Sequence, residues 1–331
     1  MRIYVPRAVA LSRRRKILLS LPVALPALLL IAWFTFTRHV PWKIPVQHQP
    51  PPSWRAPHLP GAGLSLRALG ISGFDLTDGT TRILLDPTPT RPDPTALITG
   101  PIDADPILGA KICPSADFIL VNHTHFDHVL DVAAIAKRTG AEVVGSQNTI
   151  NLVLSRGVAK EKTRLVHPGD HLTLGTFTID VRSSRHTDIV VSKPMSGTIS
   201  PTAGPLWFWN YALDDTLTFR LEAAGTSVWF HPTSTWEPGE LGGLPAKTLI
   251  VGVTGERQTK LKVEGLLGES KPTRILPTHY DNFFQPYERG LALMPGLDLD
   301  AARQLFLDAN PQLEWGVLDL GETIALPPDA E

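Results

Sequence analysis

The sequence predicts a layered α/β domain over residues 61–331, preceded by an apolar N-terminal segment. Short apolar stretches that are typical of strands alternate along this part of the chain with stretches typical of helices. Residues 118–121 are wholly apolar, as in a strand that is buried on both faces. The Asp-Gly pair at residues 78–79 separates two apolar stretches and predicts a hairpin turn. A chain of 331 residues, 43% of them hydrophobic, is long enough to bury a sizeable core.

The individual elements follow in order along the chain. We expect strands over residues 64–69, 74–77, 81–85, 118–121, 142–144, 177–181, 216–221, 227–230, 249–253 and 274–276, and helices over residues 129–138 and 149–155. Gly140 is expected to cap the first helix at its C-terminus. Gly225 predicts a tight turn between two of the later strands. Hairpins mixed with strand–helix units therefore indicate a layered α/β protein.

The N-terminal segment has the features of a transmembrane helix. Residues 17–37 carry no charge and are dominated by apolar side chains, and about 20 such residues span a bilayer. Because residues 1–16 are basic, the positive-inside rule predicts a cytoplasmic N-terminus and a domain on the periplasmic or extracytoplasmic side. A cleaved signal peptide is the alternative. The bulky residues 33–37 offer no small-residue cleavage site, so we favour an uncleaved, single-pass membrane anchor.

Residues 38–60 connect this segment to the domain and contain seven prolines. Such a composition favours extended, non-helical backbone. Two interpretations stay open for it: a stiff spacer, or a strap that lies on the domain.

Charge and cysteine content narrow the possible functions. The chain has 31 basic and 32 acidic residues, but seven of the basic ones lie in the first 38 residues, where no acidic residue occurs. The rest is therefore acidic, which argues against a nucleic-acid substrate. Cys113 has no partner for an intramolecular disulfide, and we expect it to be a small buried hydrophobe.

Three histidines and one aspartate follow the apolar strand 118–121 within six residues. If the extended backbone of the strand continues through residues 123–125, His123 and His125 project to the same side and can bind one ion. Asp127 and His128 then lie in the turn that opens the next helix, facing the same space. Imidazole and carboxylate are the preferred ligands of zinc and similar metals. We therefore predict a metal site here rather than a His-rich surface loop.

This His-x-His-x-Asp-His stretch resembles the signature of the metallo-β-lactamase superfamily of metallohydrolases. Three other stretches are similar to that family as well: residues 69–70 with 83–87 to its opening hairpin, 184–187 to its third ligand motif, and 277–281 to its last. The resemblance covers about residues 64–326. It implies a four-layer αββα sandwich. The order of the motifs is most similar to the branch that holds L-ascorbate-6-phosphate lactonases and N-acyl-phosphatidylethanolamine-hydrolysing phospholipase D.

The resemblance also implies roles for individual residues. The first ion would be held by His123, His125 and His186, and the second by Asp127, His128 and His279. Bound zinc, as one or two ions, lowers the pKa of a coordinated water from 15.7 to about 7. Asp127 would orient the resulting hydroxide and shuttle its proton. Tyr280 would orient a ligand or contact the oxyanion, or else only hold its loop, and Asp86 would support a ligand imidazole.

One feature departs from the family pattern. The family has a bridging aspartate after the strand that corresponds to residues 227–230, but residues 230–236 contain no carboxylate. His231 could replace that ligand, or Thr233 and Ser234 could hold a water there; alternatively, His231 is a core histidine or the partner of a ligand. Without the carboxylate, two dications about 3.5–4 Å apart lose an offsetting charge. We therefore expect the second ion to bind more weakly.

The sequence gives less information about the substrate. Residues 207–211, four of which are aromatic, follow a loop rich in Ser, Thr, Pro and Gly. They line either an apolar groove for an acyl or lipid group or the core. Residues 283–284 and Tyr287 are candidates for the wall of the pocket. We predict a metal-dependent hydrolase of esters, lactones or phosphodiesters with a small-molecule or lipid-like substrate. The alternatives are a phospholipase D-like lipid phosphodiesterase and a non-catalytic binding protein with a degenerate metal site.

Overall fold

The computed structural model describes residues 30–31, 33–55, 63–186, 195–254 and 258–328. It divides the chain into two units, residues 1–38 and residues 39–331. In the first unit, residues 30–31 and 33–37 are helical. Most of the predicted transmembrane segment, residues 17–37, lies outside the described residues. Among the residues that are described, no helix combines the length and the apolar character that a membrane span requires.

Seven strands of the second unit form the first sheet. They are β1 (Leu64–Gly70), β2 (Gly73–Thr77), β3 (Arg82–Leu85), β4 (Phe118–Leu120), β5 (Glu142–Gly145), β6 (Thr163–Leu165) and β14 (Thr323–Leu326). Their order across the sheet is β14-β1-β2-β3-β4-β5-β6. Neighbours are antiparallel from β14 to β3 and parallel from β3 to β6.

The second sheet repeats this plan with seven more strands. They are β7 (His171–Leu174), β8 (Phe177–Ser184), β9 (Thr216–Ala223), β10 (Thr226–His231), β11 (Thr248–Gly252), β12 (Arg274–Thr278) and β13 (Glu314–Trp315). Their order is β13-β12-β11-β10-β9-β8-β7. Neighbours are antiparallel from β7 to β10 and parallel from β10 to β13. The two sheets therefore share one pattern of antiparallel and parallel neighbours, although the edge strand β14 of the first sheet comes from the end of the chain. The sequence alone does not reveal this repeat.

The described part of this unit also contains seven α-helices. They are α1 (Pro94–Thr99), α2 (Pro106–Ile112), α3 (Phe126–Val129), α4 (Val132–Thr139), α5 (Gln147–Ser155), α6 (Lys260–Ser270) and α7 (Leu299–Ala309). Apolar residues of α1, α2, α4 and α5 pack on one face of the first sheet. Those of α6 and α7 pack on one face of the second sheet.

The main core lies between the two sheets. Side chains such as Leu66 and Ile83 of the first sheet pack there with Phe219 and Phe230 of the second. Along β3, Ile83 faces this core while Leu84 faces the outer helices, as the period of two in a strand requires. Helices, sheet, sheet and helices thus form the four layers that the family resemblance implies.

The predicted helix over residues 129–138 is interrupted. Helix α3 ends at Val129 and α4 begins at Val132, with Asp131 at its N-cap. The Asp131 carboxylate caps no backbone N–H of α4, because it accepts hydrogen bonds from the backbone N–H and the hydroxyl of Thr90. The predicted cap at Gly140 is confirmed, since its φ of 77° lies in the left-handed region that glycine adopts without strain.

The proline-rich segment lies on the domain over its described residues, 39–55. Trp54 is 1% exposed and belongs to the core between the sheets. Its indole N–H donates to the Glu314 carboxylate at 2.9 Å. Of the two interpretations of the segment, these contacts support the strap.

A buried histidine makes a second attachment of the strap. His48 is 1% exposed, and its ring lies 6.2 Å from that of Trp315 between ring centroids. The Trp315 indole donates to His48 Nδ1 at 3.1 Å, so Nε2 is the nitrogen that can donate to Asp300, 2.9 Å away. Backbone pairing adds to this, since the Val317 N–H donates to the His48 carbonyl.

We predict that Trp54→Ala lowers the free energy of unfolding by about 3–5 kcal/mol, the usual cost of truncating a buried tryptophan. Urea denaturation of the full chain measures it. Val46→Ala is the control, because Val46 is 82% exposed in the same segment and should cost less than about 0.5 kcal/mol. Equal stability of the two variants would show that the strap is not part of the cooperative unit.

Candidate metal centre

Four of the predicted ligands lie where β4 is followed by α3. The strand ends at Leu120, and His125 forms the N-cap of α3 in extended conformation. His123 and His125 precede the helix, whereas Asp127 and His128 lie in its first turn. The three histidines are buried, and the Asp127 side chain is 13% exposed.

Two further ligands come from the second sheet. His186 follows the end of β8, and His279 directly follows the end of β12. The six side chains form two sets, His123 with His125 and His186, and Asp127 with His128 and His279. Within each set, the possible ligand atoms lie within 4.8 Å of one another. Since the ring centroids of His123 and His128 are 3.9 Å apart, the two sets adjoin.

Two histidines of the first set, His123 and His125, are each oriented through one ring nitrogen. His123 Nδ1 is hydrogen-bonded to the side-chain oxygen of Asn122, and His125 is hydrogen-bonded to the backbone of Met195. In both rings the other nitrogen, Nε2, is buried without a hydrogen-bond partner. A buried imidazole nitrogen without a partner is costly. Metal-ligating histidines have this arrangement, with one nitrogen on the metal and one held by the protein.

The second set is supported by a buried carboxylate. His128 Nδ1 lies 2.6 Å from Asp86 Oδ2 and 3.0 Å from the Ser72 hydroxyl. The other Asp86 oxygen accepts the Asn122 backbone N–H at 2.7 Å. Asp86 is thus the partner of the His128 imidazole, as expected for the support of a candidate ligand. Ser72 and Asn122 were not among the predicted residues.

Backbone contacts fix His279 in a left-handed conformation, with φ of 61°. Its N–H donates to the Ile71 carbonyl, and the Ile71 N–H donates to Asp281 Oδ1, both at 2.8 Å. The other Asp281 oxygen forms an ion pair with Arg91, and both side chains are almost fully buried. His279 is thereby held with its Nε2 3.1 Å from Asp127 Oδ2.

The catalytic role predicted for Tyr280 is wrong. Its side chain packs in the apolar cluster on the outer face of the second sheet, and its hydroxyl donates to the Leu318 carbonyl. Burial raises the pKa of Tyr280 well above its usual value. The residue therefore holds its loop, which was the alternative interpretation.

His231 does not join either ligand set. Its side chain is fully buried, and its Nε2 lies 2.8 Å from Glu240 Oε1. Burial by itself would raise the pKa of Glu240, but His231 and Ser184 lower it. The structure thus pairs His231 with a carboxylate outside the two sets, and its Nδ1 is buried without a hydrogen-bond partner. Its role as a substitute ligand stays a prediction. Thr233, on the same connection, is hydrogen-bonded to the Ser184 hydroxyl at 2.9 Å.

The two sets differ in their affinity for protons. Burial lowers the pKa of His123 well below its usual value and lowers that of His125 to about 3. For His128, burial acts in the same direction, but the carboxylates of Asp86 and Asp127 outweigh it and raise the pKa above 6.5. Near neutral pH, the rings of His123 and His125 are therefore unprotonated, whereas a metal ion at His128 competes with a proton for a ring whose pKa is raised.

Comparison with known proteins identifies the family. Residues 81–280 match the model described as beta-lactamase superfamily domain. A protein named UPF0173 metal-dependent hydrolase from Pyrobaculum arsenaticum is 27% identical over 232 residues, which covers 66% of this chain and 85% of the relative. A protein of the same family name from Anaeromyxobacter dehalogenans is 24% identical over 216 residues, covering 62% and 70%.

Solved structures share the fold. Igni18, a metallo hydrolase from Ignicoccus hospitalis, has a TM-score of 0.52 at 17% identity and covers 80% of this chain and 99% of its own. An isothiocyanate hydrolase from Delia radicum gut bacteria has a TM-score of 0.52 at 13% identity, covering 80% and 99%. CmlA, a diiron β-hydroxylase from Streptomyces venezuelae, has a TM-score of 0.51 at 14% identity, covering 80% and 54%. Because these proteins differ in activity, the shared fold does not identify the reaction.

We predict that Asp86→Asn weakens binding of a metal ion by the second set about 10- to 100-fold, the usual effect of losing a ligand's carboxylate partner. Asparagine keeps an acceptor for the Asn122 N–H, so binding by the first set should change less. Titration calorimetry with zinc measures both steps. Asp93→Asn is the control, since Asp93 is an exposed helix cap that asparagine replaces well. Equal weakening of both steps would contradict the assignment.

We also predict that the two binding steps release different numbers of protons. At pH 6.5 the first ion should release fewer protons than the second, because the first meets the unprotonated rings of His123 and His125, whereas the second must compete with a proton on His128. Below the pKa of His128, affinity for the second ion should then rise close to tenfold per pH unit. Calorimetry in two buffers of different ionisation enthalpy measures the release. Two equally tight ions with equal proton release would contradict both this prediction and the weaker second ion.

Proposed function

The chain belongs to the beta-lactamase superfamily and is a metal-dependent hydrolase, and we propose that it cleaves an ester, lactone or phosphodiester bond of a small or amphiphilic substrate. The observation that carries the proposal is the pair of buried Nε2 atoms of His123 and His125, which have no hydrogen-bond partner. Their donor set of neutral imidazoles suits zinc. We therefore assign one zinc ion to the first set and a second, more weakly held ion to Asp127, His128 and His279.

A divalent cation held by these residues supplies a nucleophile at neutral pH by lowering the pKa of a coordinated water to about 7. The part of the chain itself is to hold the ligands and to handle the proton. Burial would raise the pKa of Asp127, but His128 and His279 lower it, so this carboxylate is ionised. Its Oδ2 lies 3.1 Å from His279 Nε2 and 3.8 Å from His128 Nε2, beside the first set. This position suits a residue that orients the attacking group and receives its proton.

Two alternatives differ in chemistry. A phospholipase D-like phosphodiesterase would use the same ligands on a lipid phosphodiester, so only the preferred bond distinguishes it. A non-catalytic binding protein is favoured by the missing bridging carboxylate. It does not account for six ligand side chains that converge in two sets with their supporting groups in place.

The test is hydrolysis of a lactone, a p-nitrophenyl ester and bis-p-nitrophenyl phosphate by the zinc-loaded protein, with and without chelator. We expect chelator to abolish activity and zinc to restore it. His125→Ala should lower kcat/KM at least about 100-fold, because loss of a ligand exceeds the cost of losing its partner. His171→Ala is the matched control, since that side chain is 63% exposed and paired with Asp180 on the edge of the second sheet.

Activity that survives both chelation and His125→Ala would exclude the metal-dependent mechanism. Absence of hydrolysis across the panel, together with tight zinc binding, would favour the binding protein.

A further inference from the structure

Aromatic rings surround one side of the metal ligands. Phe126 lies in the chain between His125 of the first set and Asp127 of the second, and it is 8% exposed. Its ring meets that of Phe283 edge to face, with centroids 6.2 Å apart. Phe283 in turn meets the His279 ring edge to face at 5.4 Å. Aromatic side chains therefore lie directly beside the candidate ligands.

The ring contacts continue outwards without a break. The Phe126 centroid is 6.2 Å from that of Phe208, which lies 5.0 Å from the nearer ring of Trp209. Trp209 stacks on Trp207 at 4.8 Å and 21° between ring planes. At this outer end Trp209 is 41% exposed, whereas Phe126 at the inner end is buried. We call the five residues Phe283, Phe126, Phe208, Trp209 and Trp207 the aromatic track.

The outer part of the track is fixed to the metal-binding motif. The Thr124 hydroxyl, between two ligands in sequence, donates to the Ala212 carbonyl at 2.6 Å. The Asn148 side chain donates to the same carbonyl at 2.9 Å. On the other side, the Ile102 N–H donates to the Leu206 carbonyl at 2.9 Å. Residues 207–211 therefore hold a defined position relative to the ligands, although they form only a single short turn of 3-10 helix.

We propose that the aromatic track binds an acyl chain of the substrate while the bond to be cleaved lies at the metal ligands. This proposal deepens the proposed function and rests on it. Neighbouring rings from Phe283 to Trp209 are inclined by 70–81° to one another. A flexible chain can follow such a series of ring edges, whereas a flat aryl group could stack on only one of them. The rings offer dispersion and apolar area, and no charged side chain belongs to the aromatic track, so an uncharged apolar group fits it best.

Binding tests the proposal without relying on turnover. Straight-chain carboxylates from acetate to decanoate are titrated into the zinc-loaded full chain by calorimetry, so that the carboxylate can occupy the metal ligands. We expect affinity to rise with length, by up to about fourfold per methylene group. Trp209→Ala and Phe208→Ala should each lower the ratio of decanoate to acetate affinity. Trp209→Ala is expected to fold because its side chain is partly exposed, and Trp209→Glu provides a second variant that should lower the ratio further.

Leu261→Ala is the control. Leu261 is 74% exposed, and its helix α6 packs on the second sheet, whereas the aromatic track adjoins the helices of the first. It should leave the ratio unchanged. Affinity that does not depend on chain length, or that rises equally in the Trp209 variants, would overturn the proposal. Binding to phospholipid vesicles, or self-association, that is lost in Trp209→Ala without any chain-length effect would overturn it as well, in favour of a membrane or a second copy.

The two proposals fail in different ways. Zinc-dependent hydrolysis with no chain-length dependence of binding would overturn the acyl site and leave the proposed function intact. Chain-length dependence that the Trp209 variants remove, in a protein that hydrolyses nothing in the panel, would support the acyl site and overturn the hydrolysis.

Discussion

The orientation of a histidine in each ligand set depends on the hydrogen bonds of one buried carboxylate, that of Asp86. A fully buried carboxylate must be surrounded by donors, because an unpaired charge in the interior is very costly. Here those donors are groups that also position ligands: the Asn122 N–H, the His128 ring and the Ser72 hydroxyl. Asn122 then holds the ring of His123 with its own side chain. Satisfying one buried charge therefore aligns a ligand in each set.

The second constraint is the connection between the two sheets. Asp127 and His128 lie on α3, which follows β4 of the first sheet, whereas His279 follows β12 of the second sheet. The turn after β1 is hydrogen-bonded to His128 and to His279. Ile71 and His279 both have positive φ, 56° and 61°, which costs about 1–3 kcal/mol each for residues other than glycine. This strain persists because Ile71 bonds to His279 and Asp281, and Arg91 pairs with Asp281. The next residue, Ser72, is hydrogen-bonded to His128. The turn after β1 therefore contacts both histidines of the second set.

Much of this arrangement follows from local sequence, but contacts between distant residues do not. The ligand motif was recognisable because its donors are dense and follow an apolar strand. Helices α1 and α2 are not among the elements predicted from the sequence. Asp93 and Asp105, each followed by proline, nevertheless form a standard signal for the start of a helix. Ser72 gave no signal, because its partner His128 is 56 residues away. Tyr280 was misassigned because it adjoins a ligand in sequence. Its side chain packs instead in the core on the outer face of the second sheet.

The distribution of charge gives the site a direction. The end of β10 supplies no carboxylate, and the nearby Glu240 is committed to His231, so Asp127 is the one carboxylate in the two described ligand sets. Three neutral imidazoles leave the charge of a bound dication uncompensated in the first set, which favours a polar or anionic group of the substrate there. The aromatic track begins beside the same residues and offers mainly apolar surface. In the proposed function, a substrate with one polar end and one apolar end satisfies both surfaces at once, and its orientation places the bond between them beside Asp127.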